Sequence, residues 1–225
     1  ACTMAGIVAG CITSTGLASK LLRAIVSASG GVMIIALLLT MVCCIVLGMG
    51  VPTTATYCIM AATCAPILMS PEIGVEMLAA HFFVFYFGIV ADITPPVALA
   101  AYAGAAIAKA GPMKTAFNAS RLAIAAFIVP YIIAMNPAML FINTTAPEVV
   151  MITITSIIGI FGVAAGLSGF VFRNMKWWER ILCIVGGLTL LVPGSLTDLI
   201  GLVLVGAVCV LGYQAAKKEK EMLAA

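Results

Sequence analysis

One carboxylate, Asp92, lies near the middle of an otherwise uncharged apolar stretch, Met77 to Ala108. Holding a charge at such a depth in a bilayer is costly, and acids found there usually face an ion path, a cavity or a partner. Asp92 opens the run Asp92-Ile-Thr94-Pro95-Pro96. The two prolines remove the donors that would meet the carbonyls of Ala91 and Asp92, and each disfavours helical geometry in the residue before it. Carbonyls freed beside a carboxylate and a threonine hydroxyl suit a hard cation such as sodium. The alternative is a structural acid bonded to nearby backbone or hydroxyl donors.

About forty residues earlier stands a second interruption, Gly48-Met-Gly50-Val-Pro52-Thr53-Thr54. Two glycines and a proline concentrate there, and Pro52 cannot donate to the carbonyl of Gly48. A helix that restarts after such a break points free N–H groups and a positive dipole end at an anion. Taken alone, the motif also fits an ordinary kink. Two interrupted apolar segments together point to a transporter site, because unpaired backbone at membrane depth is tolerated only where it is buried in protein or lines a watery cavity.

The elements around these breaks belong to a membrane protein. Of 225 residues, 64% are hydrophobic and 8% charged, and the mean hydropathy is +1.25; a soluble domain carries roughly 25% charged residues. The charge-free stretch Ala24 to Pro71 would be about 70 Å long as one helix, more than twice the bilayer core. It must fold back at 48–54, leaving 31–47 and 54–70 as two crossings or as the arms of a re-entrant hairpin. Ordinary spans are expected at about 121–140, 149–172, 181–193 and 199–214, the last two joined through Pro193 to Asp198. Pro66 and Pro130 read as kinks. The fold class is all-α: a polytopic helical bundle with a re-entrant hairpin and discontinuous helices.

Lys109, Lys114 and Arg121, then Arg173, Lys176 and Arg180, then Lys217, Lys218 and Lys220 form three basic clusters. By the positive-inside rule these lie in the cytoplasm with the C-terminus, and the Glu72 to Glu76 loop lies outside. Lys20 and Arg23 conflict with that scheme, since one fold-back puts them on the outer side. Trp177 and Trp178 read as interfacial anchors, and His81 as an interfacial or packing residue. Cys2, Cys11, Cys43, Cys44, Cys58, Cys64, Cys183 and Cys209 form no C-x-x-C pair and read as small apolar packing residues. Gly166-Leu-Ser-Gly169 is too short for a nucleophile elbow and reads as helix packing. No H-E-x-x-H, G-x-S-x-G or Walker-type loop is present, so hydrolase and ATP-driven readings lack their machinery, and no cofactor or nucleic-acid partner is expected. The opening run, Ala1 to Ser19, is uncharged and has no leader pattern; it reads as the continuation of an upstream portion.

The segments Leu47-Gly-Met-Gly-Val-Pro-Thr-Thr-Ala-Thr-Tyr57 and His81-Phe-Phe-Val-Phe-Tyr-Phe87, with Asp92-Ile-Thr-Pro-Pro-Val-Ala-Leu-Ala-Ala-Tyr102, resemble the fused permease subunit of TRAP transporters. These are the tripartite ATP-independent periplasmic systems; the resemblance is closest to the branch served by TAXI-type binding proteins, and it runs from Ala1 to about Pro137. It implies a multi-pass protein of the bacterial inner membrane that takes up small carboxylates with sodium as coupling ion, by an elevator-like movement. A periplasmic substrate-binding protein would deliver the substrate. Residues 1–140 would be the C-terminal half of the transport domain, completed by an N-terminal half of the permease, and 141–225 would be C-terminal helices and a cytoplasmic tail. Carried over, Gly48, Gly50, Pro52, Thr53 and Thr54 with Asp92, Thr94, Pro95 and Pro96 would frame the substrate and ion site, with sodium near Gly48, Gly50, Asp92 and Thr94. A channel-like subunit and a non-transporting scaffold are the competing readings.

Overall fold

The computed structural model describes the backbone of residues 3, 6, 7, 10, 11, 14–142, 144–192 and 194–224, and their side chains except at 18, 195, 216 and 218–224. Ala1, Cys2 and Pro193 lie outside the described residues, as do the side chains of Lys218 and Lys220. The architecture is all-α; among the described residues the only β feature is an isolated bridge between Phe170 and Asn174. The chain divides into two compact units, Ala1–Leu140 and Phe141–Ala225.

The first unit holds helices α1 (Leu17–Ser29), α2 (Met33–Gly48), α3 (Thr53–Thr63), α4 (Ala65–Leu68), α5 (Met77–Val90), α6 (Leu99–Ile107), α7 (Pro112–Leu122) and α8 (Ile124–Met135). Helix α5 is its centre and packs against α2, α3, α4 and α8. Ala79, Ala80, Phe83, Val84, Phe87 and Gly88 form its buried face, one helical turn apart in pairs. Phe83 and Phe87 stack with Tyr131 of α8 at ring separations of 5.2 and 5.8 Å. The opposite face, Phe82, Phe85 and Ile89, is equally apolar yet exposed. A helix apolar all round belongs in lipid, with its packing set by shape rather than by polarity.

Local chemistry ends these helices where proline removes a donor. Pro66 lacks the N–H that would reach the Ala62 carbonyl, and the 54–70 arm accordingly divides at Cys64 into α3 and α4. The expected 121–140 span is corrected more heavily. It is two helices bent by 42° at Ala123, followed by a 3-10 turn, Pro137–Leu140. Tertiary contact supplies the reason: Ser120 of α7 donates to the Ile93 carbonyl at 3.0 Å, while α8 packs along α5. One rod cannot serve both partners. Helix α1 carries Lys20 and Arg23 exposed while Ile25 is buried against the core.

The second unit is a three-helix cluster of α9 (Ala146–Ser168), α10 (Trp177–Thr189) and α11 (Ser195–Ala224). Each differs from its expected bounds. Helix α9 stops at Ser168 because Gly169 adopts a left-handed cap with φ +73°. Helix α10 begins at Trp177 because Glu179 accepts from the Lys176 N–H at 2.8 Å. Helix α11 runs on through the basic tail. By length and composition Ala146–Ser168 and Leu196–Ala215 can each cross a membrane, as can the bent α7–α8 pair if it is one span. Helix α2, with 16 residues, is about 24 Å long and falls short of a hydrocarbon core of about 30 Å.

Glycines bring the helices of this unit into backbone contact. A Cβ on Gly187 would lie 2.6 Å from the Gly159 oxygen and 2.8 Å from the Val163 nitrogen. Gly166 packs against Ile184 and the Arg180 carbonyl in the same way, as expected of the Gly166–Gly169 segment. Backbone atoms cannot swing aside, so Gly187→Ala is expected to destabilise the unit by about 1–3 kcal/mol. Thermal melting of the purified protein would show a lowered midpoint. Gly206→Ala, whose added methyl meets nothing within 4 Å, is the matched control and leaves the midpoint in place.

The cysteines divide by position. Cys44, Cys64 and Cys183 are buried, whereas Cys11 and Cys58 are exposed, so the packing role expected of all of them is not uniform. His81 is held at Nδ1 by the Tyr57 hydroxyl at 3.1 Å, and Tyr57 also meets Phe85 edge-on.

Candidate functional site

Both interruptions are present where the prolines and glycines put them. Helix α2 ends at Gly48, residues 49–52 turn with Gly50 at φ +72°, and α3 restarts at Thr53 behind Pro52. After α5 the chain makes a 3-10 turn, Ala91–Ile93, then a cis Pro95–Pro96 bond, and restarts as α6 from Ala98 at φ +32°. That left-handed alanine is fully buried. A non-glycine residue in this region costs about 1–2 kcal/mol, so the surrounding contacts hold the second break in shape.

The fold brings the two breaks together. A Cβ on Gly48 would stand 2.9 Å from the Ala91 Cβ and 3.3 Å from the Gly88 oxygen. Gly88 in turn leaves room for α3: its added Cβ would meet the Thr56 methyl at 3.1 Å and the Met60 sulfur at 3.3 Å. The end of α2, the start of α3 and the end of α5 therefore share one contact, with Asp92 next in the chain to Ala91. Gly48 is buried, Asp92, Thr94 and Pro95 are half-buried, and Gly50, Pro52, Thr53, Thr54 and Pro96 are exposed.

Most of the polar backbone at the breaks is satisfied locally. Thr94 donates its hydroxyl to the Val90 carbonyl at 2.7 Å, and Thr56 to the Val51 carbonyl at 3.1 Å. Tyr102 donates to the Pro96 carbonyl and Ser120 to that of Ile93. The Gly48 carbonyl accepts from Val51 at 3.4 Å. Four carbonyls, of Met49, Gly50, Asp92 and Pro95, take no hydrogen bond from a described residue. For Asp92 the cause is chemical, since the positions three and four residues on are both proline.

The Asp92 carboxylate also takes no hydrogen bond from a described residue. At the other break no side chain caps α3. The N–H groups of Thr53, Thr54 and Ala55 thus begin a helix without intrahelical partners. The arrangement offers hard oxygen atoms near Asp92 and Gly50, and N–H donors with two exposed hydroxyls at Thr53 and Thr54. Oxygen ligands of this kind suit a hard cation; helix-start donors suit a carboxylate. No group of three or more His, Cys, Asp or Glu side chains able to hold a metal occurs among the described residues.

Gly88, Ala91, Thr56, Ser120 and Tyr102 belong to this constellation and were not singled out from sequence. Gly88 carries a readable signal, being the one glycine in the aromatic run of α5. Ser120 carries none, because its partner lies 27 residues away in the chain.

Residues 1–149 match the family model described as the tripartite ATP-independent periplasmic transporter, DctM component. Residues 149–204 match a domain of unknown function, DUF3394. No curated protein and no solved structure matches the chain.

Proposed function

The chain belongs to the DctM component family of the tripartite ATP-independent periplasmic transporters, and from that premise we propose that it serves sodium-coupled uptake of small carboxylates. It is a multi-pass membrane protein of a transporter family rather than an enzyme. In the proposed reading a periplasmic binding protein of the TAXI type delivers the substrate at the inner membrane. Unit 1 then supplies the C-terminal half of a transport domain that moves as an elevator, with an N-terminal half of the permease completing the site. The 173–180 turn and the basic C-terminal tail lie in the cytoplasm, between and after helices that cross the membrane.

The observation that carries this proposal is the contact of Gly48 with Ala91, which joins the two breaks, one followed by an uncapped helix start and the other holding a half-buried carboxylate. Sodium near Gly48, Gly50, Asp92 and Thr94 would draw on the carbonyls of Met49, Gly50, Asp92 and Pro95, on the Asp92 carboxylate, and on the lone pairs left on the Thr94 oxygen. The substrate carboxylate would meet the N–H groups and hydroxyls of Thr53 and Thr54 across Pro52. Bound sodium would offset the negative charge of Asp92 while the anion arrives, so each ligand favours the other. Reciprocal coupling of that kind is what links an ion gradient to uptake.

Uptake of a panel of labelled carboxylates into proteoliposomes containing the protein together with the permease half proposed to complete its site tests the reading, with the binding protein outside and an inward sodium gradient present or absent. Accumulation of at least one carboxylate that requires both sodium and the binding protein is the expected result. Flux that needs neither would replace the proposal with a channel.

A further inference from the structure

The two arms that flank the first break carry a pair of thiols that the transport reading does not use. Cys43 lies near the end of α2, and Cys64 stands where the second arm divides into α3 and α4. The two residues are 21 apart in the chain, yet the Cys64 thiol donates to the Cys43 sulfur at 3.8 Å. At that separation the sulfurs touch and no atom stands between them. The Thr63 hydroxyl lies 3.5 Å from the same Cys64 sulfur. Cys64 belongs to the buried core of unit 1, and Cys43 packs against that core while remaining half-buried.

These positions suit a covalent bond. A disulfide holds its sulfurs about 2.0 Å apart, so each sulfur has to move by about 0.9 Å. Rotation about χ1 carries a sulfur that far, and Cys64 sits at an interruption of the helix that Pro66 has already opened. The product is uncharged, which suits surroundings built from apolar side chains. Exposure divides the roles: a reagent meets Cys43 first, and Cys64, held in contact behind it, closes the bond.

We propose that Cys43 and Cys64 form an oxidisable pair, converted by a small apolar disulfide into a bond that closes the first break into a covalent loop. Cys43, as its thiolate, attacks one sulfur of the oxidant; a mixed disulfide forms, and the other half of the oxidant leaves as a thiol carrying the Cys43 proton. The Cys64 sulfur then attacks the Cys43 sulfur. The Cys43–Cys64 bond forms, the mixed bond breaks, and the second half leaves as a thiol carrying the Cys64 proton. Two protein thiols lose two electrons, and the oxidant's disulfide gains them. Residues 44–63, with the Gly48–Thr54 break among them, then lie inside the loop, and α2 is tied to the junction of α3 and α4.

The test uses the full chain, purified in detergent, fully reduced and treated with excess 4,4′-dithiodipyridine, then quenched in acid and digested for mass spectrometry. A bond between the Cys43 and Cys64 peptides is expected, assigned to Cys43 rather than Cys44 by the fragment spectra, while the exposed Cys11 and Cys58 retain the reagent as mixed disulfides. Cys64→Ala should leave a lasting reagent adduct on Cys43. Cys44→Ala should keep the bond, and Cys43→Ala should abolish it. Closing the loop removes freedom from the unfolded chain, so the oxidised protein should melt about 5 °C or more above the reduced one, and dithiothreitol should reverse the rise. Cys43→Ala under the same treatment should show no such rise. A lasting adduct on Cys43 in the unaltered protein, no reaction at either residue, or a bond made to Cys44 instead would overturn the proposal and leave the two thiols as packing groups.

Discussion

Asp92→Asn is expected to lower sodium-driven uptake by about ten- to hundredfold, the range set by losing one hydrogen bond or ion contact to a charged group. The carboxamide has the same shape, and no described residue donates to the carboxylate, so the melting temperature should barely move. The loss should also be graded by sodium: half-saturation shifts to higher concentration, and part of the uptake returns as sodium is raised. A purely structural acid predicts the reverse pattern, with lower stability and unchanged sodium dependence. Uptake measured against sodium concentration, beside thermal melting of the same preparation, separates the two. Unaltered uptake with unaltered sodium dependence would remove Asp92 from the site.

The two breaks were legible in the sequence because proline acts locally. Pro52, Pro95 and Pro96 end hydrogen-bond ladders whatever surrounds them, and Gly50 supplies the φ of +72° that the first turn requires. Apolar length and the spacing of charges gave the all-α membrane class on equally local grounds. What could not be read depends on partners distant in the chain. Nothing in Arg121-Leu-Ala-Ile announces the bend at Ala123, which follows from Ser120 reaching the Ile93 carbonyl. Glu179 falls in the loop expected between the spans 149–172 and 181–193, yet it lies in the first turn of α10, buried on Arg173. A basic cluster read as a topology marker proved to be a clasp as well, since Arg180 closes α9 and Arg173 binds Glu179. The meeting of Gly48 with Gly88 and Ala91 is of the same class. Glycine in a sequence reports freedom of the backbone; whether that freedom serves a turn, as at Gly50, or a close approach, as at Gly48, is decided by what the fold sets against it.

That distinction gives the second large effect. Gly48→Val would drive its Cβ against the Ala91 Cβ at 2.9 Å and the Gly88 oxygen at 3.3 Å, with Met60 Cε at 3.2 Å. The methionine end can swing away; the other two atoms are fixed to α5 and its 3-10 turn. The helices must part, at about 1–3 kcal/mol, and parting them separates the two breaks. Uptake should fall by about tenfold or more, and the expected cause can be isolated with the smaller Gly48→Ala. In that background Ala91→Gly removes the nearest clash and should restore most of the activity, with a coupling of about 0.5–3 kcal/mol between the two positions. Gly50→Ala is the contrast, because its methyl meets nothing within 4 Å and it carries only the cost of a left-handed backbone, about 1–2 kcal/mol; Ala91→Gly should not rescue it. If Ala91→Gly rescued both alanine variants equally, or neither, the contact between the breaks would not be what sets the transport rate, and the site would have to be built from each break alone.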